Sequence, residues 1–251
     1  MPVPATVSPD IPLIEIFSSL QGEGLQIGCR QVFIRFPGCQ LDCAYCDTKF
    51  EARDICRIET LPGNGVFRHV SNPLSLFSVI DVIDDWQRQL PHQAISITGG
   101  EPLLHAAQLS AWLPVLRQRL PIVLETNGLL TAQLVEIRSH IDFISTDIKL
   151  PSVSGQADLW GQHEAFLREL HPLEGQIKVV VSAQTNPAEI SRAAQLAGAY
   201  APHLPLILQP ETRAGVPSVS GERLLEWQCL ASRYHAQVRV IPQMHPLLGL
   251  L

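Results

Sequence analysis

Three cysteines crowd into eight residues of the chain, at Cys39, Cys43 and Cys46, separated by three and then two residues. A tight cluster of this kind, in an enzyme-sized chain without a secretory signal, favours metal binding or catalysis over a disulfide framework. Three thiolates can hold three irons of a cubane iron-sulfur cluster and leave the fourth iron open to a substrate or cofactor. The alternative from spacing alone is a structural zinc ion, with Cys56 or a histidine as its fourth ligand.

Composition bounds the kind of protein that carries this cluster. The 251 residues are 46% hydrophobic and 17% charged, which excludes a chain that is disordered throughout. A net charge of −6 offers no overall attraction to nucleic acid or to an anionic membrane, so an anionic ligand must be bound locally. No apolar run approaches the roughly 20 residues that cross a bilayer, and residues 1–10 lack a secretory pattern, so we expect a cytoplasmic protein.

Apolar runs alternate with amphipathic stretches along the chain, and several of these runs have the β-branched composition of strands covered on both faces. The predicted strands are 31–36, 94–98, 122–126, 143–149, 177–181, 206–209 and 238–241. The predicted helices are 76–90, 103–120, 132–140, 158–170, 189–200 and 221–235. No linker or charge run interrupts this alternation, which predicts an α/β fold with one closed or partly open β/α barrel. We therefore expect a single domain over residues 1–251, with an irregular excursion near 50–72.

Each motif that could do chemistry directly follows a predicted strand. The cysteine cluster follows the first predicted strand, the run Gly99-Gly100-Glu101-Pro102 follows the second, and Asn127-Gly128 follows the third. The carboxyl ends of the strands in a β/α barrel share one face, where such folds build their active sites. The sequence therefore predicts that these separate motifs converge on one site.

The cysteine spacing, with the aromatic Tyr45 before the last cysteine, and the run 99–102 together resemble the radical S-adenosylmethionine (SAM) superfamily. The resemblance implies a partial or modified (β/α)6 barrel of the radical SAM type, in which the three cysteines hold a 4Fe-4S cluster. It also implies that the open iron chelates the amino and carboxylate groups of SAM, and that the glycine-rich strand end contacts the amino group. The implied SAM contacts are Tyr45, Gly100, Glu101, Asp147 and Lys149.

A second set of motifs extends over nearly the whole chain, in the runs 15–24, 33–35, 46–48, 98–102, 125–128, 147–149, 178–181 and 243–245. These motifs resemble the 7-carboxy-7-deazaguanine synthase family. That family rearranges 6-carboxy-5,6,7,8-tetrahydropterin into 7-carboxy-7-deazaguanine with loss of ammonia, on the route to queuosine and related nucleosides. Its members are typically homodimers that need magnesium, and an external reductant such as a flavodoxin or ferredoxin is implied.

The second resemblance also assigns residues to magnesium and to the pterin. Thr48 matches the family's magnesium ligand, a role that suits the preference of Mg²⁺ for oxygen. The implied mechanism is a reductive cleavage of SAM, whose 5′-deoxyadenosyl radical takes hydrogen from C6 of the substrate before the ring contracts. The implied substrate contacts are Leu20, Gln21, Gly22, Glu23, Arg35, Thr98, Glu125, His245 and Leu251, the last through the terminal carboxylate.

The chemistry of these side chains agrees with the assignments and leaves simpler interpretations open. Gln21 and Glu23 offer amide and carboxylate partners for the guanidine-like edge of a pterin, and Arg35 can bind a carboxylate through two N–H groups. Without the resemblance, a polar turn and a surface strand residue would explain them. Asp147 and Lys149 point the same way on a strand, so an ion pair between them competes with a role at SAM.

Two other functions stay open at this level. A radical activating enzyme would keep the cluster but take hydrogen from a glycine of a partner protein, for which we expect an exposed groove. A binding module stapled by zinc would have no catalytic activity. The other three cysteines, Cys29, Cys56 and Cys229, match no required cysteine of the family and are expected to be ordinary thiols.

Overall fold

The computed structural model describes residues 9–46, 51–213 and 215–250. Its strands are β1 (Glu15–Leu20), β2 (Arg30–Phe36), β3 (Ile55–Glu59), β4 (Phe67–Ser71), β5 (Ala94–Gly99), β6 (Ile122–Thr126), β7 (Phe143–Asp147), β8 (Gly175–Val181), β9 (Leu206–Pro210), β10 (Thr212–Arg213), β11 (Val216–Pro217) and β12 (Val238–Val240). In these ranges one large sheet has the order β12-β9-β8-β7-β6-β5-β2-β1-β3-β4, and β10 pairs with β11.

Seven neighbouring strands of the large sheet run parallel, from β2 through β5, β6, β7, β8 and β9 to β12. They read as apolar, β-branched runs because both of their faces are covered. The two end strands, β12 and β4, do not pair with each other in the described part of the chain, so the barrel is open. The α/β fold with a partial barrel, predicted from the sequence, is confirmed.

The end of the sheet that contains β1, β3 and β4 differs from the prediction. β1 runs antiparallel to β2 and parallel to β3, and β3 forms a hairpin with β4. Part of the segment predicted to be irregular, residues 50–72, is therefore this hairpin. The buried Glu59 carboxylate organises its turn by accepting N–H groups of Gly63 at 2.9 Å and Gly65 at 2.6 Å, and it also accepts Ser18 N–H of β1 at 2.9 Å. One side chain thus ties the hairpin to the rest of the sheet.

The helices are α1 (Leu76–Gln89), α2 (Ala106–Leu116), α3 (Thr131–Ile137), α4 (Pro151–Ser154), α5 (Trp160–Leu167), α6 (Pro187–Tyr200), α7 (Gly221–Ala231) and α8 (His245–Leu248). The longer ones bury one stripe each, as Val79, Ile83 and Trp86 do on α1. Side-chain caps start α1 at Ser75 and α6 at Asn186. Within the described ranges, no helix is long and apolar enough to cross a membrane.

Candidate active site

A cavity of about 750 Å³ opens at the carboxyl ends of the parallel strands. It has the size of a site for small molecules. Its walls include the loops after β2 and β5, the ends of β6, β7 and β8, and the turn after β1. The predicted site residues that line it are Leu20, Gln21, Gly22, Glu23, Arg35, Cys39, Cys43, Tyr45, Cys46, Thr98, Gly100, Glu125, Asp147, Lys149 and His245. The structure therefore brings together motifs that are far apart in the sequence.

The loop after β2 places three thiols on the cavity wall. Cys46 N–H closes a turn onto the carbonyl oxygen of Cys43 at 2.9 Å, and this turn brings the last two cysteines to the same side. Ala44, inside the turn, donates its N–H to Ser154 O of α4 at 2.9 Å. The loop is thereby held against a helix that follows β7, which fixes the position of the thiols relative to the strand ends.

The surroundings of these thiols suit an iron-sulfur cluster. Leu41 N–H lies 3.4 Å from Cys39 Sγ, and Asn127 Nδ2 lies 3.7 Å from the same sulfur. Such donors stabilise a thiolate, the form in which cysteine binds iron. Burial raises the pKa of the Cys43 thiol, and the nearby Lys149 ammonium opposes that shift. In a cubane cluster each thiolate binds a different iron, so three sulfurs need not converge on one point.

The zinc alternative finds no fourth ligand in the described residues. Cys56 is fully buried on β3, where its thiol donates to Arg57 O at 3.6 Å, and it is not part of the cavity wall. In those residues, no group of three or more His, Cys, Asp or Glu side chains could hold a single metal ion. The stapling site considered from the sequence is therefore not formed in that part of the chain.

The loop after β5 approaches the cysteine loop through backbone alone. Gly99 has φ +131°, and a Cβ at this position would overlap the carbonyl oxygen of Phe36, so only glycine fits. Gly100 N–H donates to Phe36 O at 3.1 Å, and Gly100 lines the cavity. A ligand can therefore approach the main chain here without meeting a side chain, as the predicted contact with SAM requires.

Glu101 has a different position from its neighbours in the same motif. Its carboxylate is fully buried and accepts Leu103 N–H at 3.0 Å, Thr126 Oγ1–H at 2.9 Å and Asn127 N–H at 2.8 Å. Burial raises the pKa of Glu101 to about 7 against the effect of these donors. Glu101 joins the ends of β5 and β6 and lies outside the cavity wall, and its predicted contact with SAM stays a prediction.

At the other end of the cavity, Glu125 is the centre of a hydrogen-bond group. Its Oε1 accepts Gln21 Nε2–H and Ser96 Oγ–H, each at 2.9 Å, and its Oε2 accepts Thr98 Oγ1–H at 3.0 Å. Gln21, Thr98 and Glu125 come from three separate motifs of the sequence. Together they form a polar wall of carboxylate, amide and hydroxyl groups that can orient a flat heterocycle.

Glu23 and Lys178 form an ion pair in the wall of the cavity. Gln243 Nε2–H donates to the other carboxylate oxygen of Glu23 at 2.8 Å. Burial alone would raise the pKa of Glu23, but Lys178 and the two hydrogen bonds lower it to about 2. Glu23 is therefore an ionised acceptor at neutral pH.

The same chain of charges continues toward the cysteine loop. Asp147 accepts Lys149 Nζ at 2.5 Å on one oxygen and lies 3.5 Å from Lys178 Nζ on the other. The Lys149 ammonium also lies 5.3 Å from the ring centroid of Tyr45. The Asp147–Lys149 pair weighed from the sequence is thus formed, and both residues line the cavity as well.

Arg35 faces the cavity from β2. Its Nε–H donates to Glu15 Oε1 at 2.8 Å, and Arg57 of β3 pairs with the other oxygen of the same carboxylate. Two guanidinium groups therefore share one buried carboxylate, which leaves a net positive charge at this wall. The pattern suits a ligand with a carboxylate group.

The turn after β1 is packed against the last segment of the chain. Met244 N–H donates to Gly22 O at 2.7 Å, and a Cβ at Gly22 would overlap the imidazole of His245, which lines the cavity. His245 is therefore positioned by a backbone contact that only glycine permits. Thr48 and Leu251, predicted to bind magnesium and substrate, lie outside the described residues.

Sequence analysis missed residues that the fold places in or beneath this site. Gln209, at the end of β9, lines the cavity with 2% exposure, and its Oε1 has no hydrogen-bond partner among the described residues. His163 of α5 lies beneath the wall, where its Nδ1–H donates to Gly128 O at 3.2 Å and its Nε2 accepts Lys149 N–H at 3.0 Å. A polar residue ending a predicted parallel strand was a signal for Gln209. No local signal marks His163.

Comparisons with known proteins agree with this geometry. The sequence profile of the Radical SAM superfamily matches residues 33–193. The chain is 49% identical to a 7-carboxy-7-deazaguanine synthase of Geobacter sulfurreducens, over 97% of this chain and 99% of that protein. It is 36% identical to one of Methanothermobacter thermautotrophicus, over 95% and 97%. The crystal structure of QueE from Escherichia coli has the same fold, with a TM-score of 0.58 at 22% identity, over 94% of this chain and 95% of that one.

Proposed function

The chain belongs to the radical SAM superfamily and, within it, to the 7-carboxy-7-deazaguanine synthase family, and we propose that it converts 6-carboxy-5,6,7,8-tetrahydropterin into 7-carboxy-7-deazaguanine and ammonia. The observation that carries the proposal is that the cysteine loop and the polar group around Glu125 line one cavity. A small molecule at the polar end would thus share a chamber with a cofactor at the cysteine end.

Radical SAM enzymes use a 4Fe-4S cluster and SAM, and the residues of this cavity fit both. Cys39, Cys43 and Cys46 would hold the cluster, and the main chain at Gly100 with the Asp147–Lys149 pair would contact SAM. When bound, the two cofactors supply a one-electron cleavage that yields a radical able to take hydrogen from carbon. The protein contributes binding, orientation and a shielded chamber.

The polar end of the cavity has the donors and acceptors that a carboxypterin needs. The aminopyrimidinone edge of a pterin presents N–H groups, and the ionised Glu23 together with Glu125 can accept them. Gln21 can both donate and accept, and its bond to Glu125 sets its direction. Arg35 can direct N–H groups at the substrate carboxylate from a position that Glu15 holds.

Several parts of the proposal rest on the family rather than on the described residues. We infer that Thr48 would hold Mg²⁺, which would orient the substrate carboxylate, and that the terminal carboxylate of Leu251 would contact the substrate. A flavodoxin or ferredoxin as reductant, a homodimer, no nucleic acid or membrane as partner, and a cytoplasmic location are proposals of the same kind. They guide the conditions of the assay.

The test is turnover by anaerobically purified, cluster-loaded protein with SAM, Mg²⁺, dithionite and the tetrahydropterin. We expect 7-carboxy-7-deazaguanine and ammonia in equal amounts, measured by mass spectrometry and an ammonia assay. Arg35→Met should raise the KM for the pterin, whereas Arg138→Met, which breaks an ion pair with Glu169 away from the cavity, should not. Cleavage of SAM without deazaguanine would overturn the substrate assignment and favour a protein-glycine substrate.

A further inference from the structure

Lys178 is a cavity residue to which the sequence assigned no role. It lies on β8, where Gln176, Lys178 and Val180 share one face because side chains alternate along a strand. In the parallel pairing of β7 with β8, Lys178 stands opposite Asp147. Its side chain is 12% exposed and lines the cavity. A lysine so buried needs anionic partners, and the structure supplies two.

Those partners belong to different ends of the cavity. Glu23 is part of the turn after β1, which forms the polar end, and Asp147 is part of the strand end next to the cysteine loop. Lys178 Nζ pairs with Glu23 Oε2 and lies 3.5 Å from Asp147 Oδ1. Among the described residues that line the cavity, no other side chain forms ion pairs with both ends.

The contacts on either side extend this link across the cavity. Beyond Glu23, Gln243 brings in the last segment of the chain, and beyond Asp147, Lys149 reaches the ring of Tyr45 in the cysteine loop. The two carboxylates and the two ammonium groups balance in charge. A ligand that binds one of these four charged groups therefore changes the ion pairing of the other three.

We propose that Lys178 is the positioning residue that couples the two ends of the cavity, so that the pterin and SAM each raise the affinity for the other. The inference rests on the proposed function. A pterin N–H that binds Glu23 competes with Lys178 for that carboxylate, and the ammonium then moves its charge toward Asp147. Asp147 in turn holds Lys149 less tightly, which frees the Lys149 ammonium for an anionic group of SAM.

The coupling can be measured without turnover. Cluster-loaded protein, held anaerobic and without reductant, is titrated with SAM in the absence and in the presence of saturating 6-carboxy-5,6,7,8-tetrahydropterin, and then in the reverse order. In the wild type we expect each ligand to lower the dissociation constant of the other by about fivefold or more. This coupling factor should be the same in both orders of addition, as linkage requires. In Lys178→Met the factor should fall to about one, and in Lys178→Arg, which keeps the charge, it should persist.

Matched variants separate coupling from stability. Arg138→Met removes a cation from an ion pair outside the cavity and should keep the wild-type factor. The double variant E23Q/K178M replaces both members of the pair by neutral groups, so it leaves no unpaired charge if Lys178→Met folds poorly, and it too should lose the coupling. If Lys178 had only a structural role, Lys178→Met would bind both ligands more weakly, and the coupling factor would stay at the wild-type value.

The outcomes distinguish this inference from the proposed function. An equal factor in the wild type and in the two variants without Lys178 would overturn the coupling role and leave the synthase assignment intact. A wild type that binds SAM but not the tetrahydropterin would overturn the substrate assignment, and the coupling role with it. Loss of the factor in Lys178→Met and in the double variant, with retention in Lys178→Arg, would support it.

Discussion

Two of the free cysteines have opposite surroundings. Cys43 lines the cavity within the three-cysteine loop, whereas Cys229 is exposed on α7. We expect Cys43→Ala to lose the brown chromophore and its iron, because a cubane cluster needs its thiolates, while Cys229→Ala keeps both. Absorbance at ~400 nm with iron and sulfide counts checks this, with about four irons in the control. A Cys43→Ala protein with a full iron count would contradict the assignment of the cluster.

His163 makes a prediction about pH. Burial lowers the pKa of His163 from 6.5 to about 4, so the unfolded chain binds a proton there more readily than the folded one between those values. Its contribution to stability is therefore complete above pH 6.5 and is lost as the pH falls toward 4, and it is on the order of 3 kcal/mol. The buried Glu101 carboxyl, whose pKa is raised to about 7, gives the opposite pH dependence in this window, so the readout is the comparison of variants: on going from pH 6.5 to pH 4 we expect the wild type to lose more unfolding free energy, by denaturant titration, than His163→Asn loses. His69→Asn, at an exposed site on β4, should lose as much as the wild type, and equal losses for all three would contradict this role.

Whether the role of a residue could be predicted depends on how far apart in the sequence it and its partners lie. The cysteines and the glycine pair were predicted because their chemistry lies in local spacing. His163 and Lys178 acquire their roles from strand ends that are remote in the chain. A histidine on an amphipathic helix and a lysine in an apolar strand carry no local mark of those contacts, so the fold had to supply them.

At the scale of elements, the backbone of the glycine loop can be tested against a matched glycine. Gly99 and Gly28 both have positive φ. A Cβ at Gly28 would meet no atom of the described residues within 4 Å, whereas one at Gly99 would overlap the Phe36 carbonyl. Gly28→Ala should lose about 1–2 kcal/mol from backbone strain alone and keep its affinity for SAM. Gly99→Ala should weaken SAM binding by more than about tenfold, which calorimetry on cluster-loaded protein would detect. Equal SAM affinities in the two variants would contradict a close backbone approach at this loop.

The hairpin of β3 and β4 depends on Glu59, which is 3% exposed and accepts three N–H groups. Glu59→Ala leaves these donors without a partner, so we expect a loss of about 2–4 kcal/mol in unfolding free energy by denaturant titration. Glu226→Ala, at an exposed position on α7, should change stability by less than about 0.5 kcal/mol. A Glu59→Ala protein as stable as this control would show that the turn holds without the carboxylate.

The strands of this hairpin, and β1 beside them, were not predicted from the sequence. The parallel strands were predicted because burial on both faces selects β-branched runs, a signal that needs no knowledge of partners. β4 has no buried residue, and β1 and β3 mix polar or charged residues with apolar ones, so none of the three strands is a continuous apolar run. Gly63 and Gly65 suggested irregular structure, although they form a turn that Glu59 closes from within.

In the molecule as a whole, the parallel part of an open, mixed sheet brings the cysteine loop, the glycine loop and the polar group around Glu125 to one cavity. The general placement was predicted, because parallel strands share the direction in which they end. The shape of the chamber was not, since it depends on the turn after β1 packing against the last segment at Gly22 and His245. The proposed function requires the cofactor and the substrate to share this one cavity.

Transfer of hydrogen from the pterin to the nucleoside part of SAM within that cavity can be followed with an isotope label. The tetrahydropterin carrying deuterium at C6 is incubated with anaerobic, cluster-loaded protein, SAM, Mg²⁺ and dithionite, and both the recovered SAM and any 5′-deoxyadenosine are analysed by mass spectrometry. The tetrahydropterin and the product differ only by ammonia, so the hydrogen atom taken from C6 has to be returned before the product is complete. If both ligands occupy one cavity, deuterium therefore appears in the recovered SAM and in any 5′-deoxyadenosine while 7-carboxy-7-deazaguanine forms. Unlabelled SAM and 5′-deoxyadenosine, with no deazaguanine, would contradict a shared site for the two molecules.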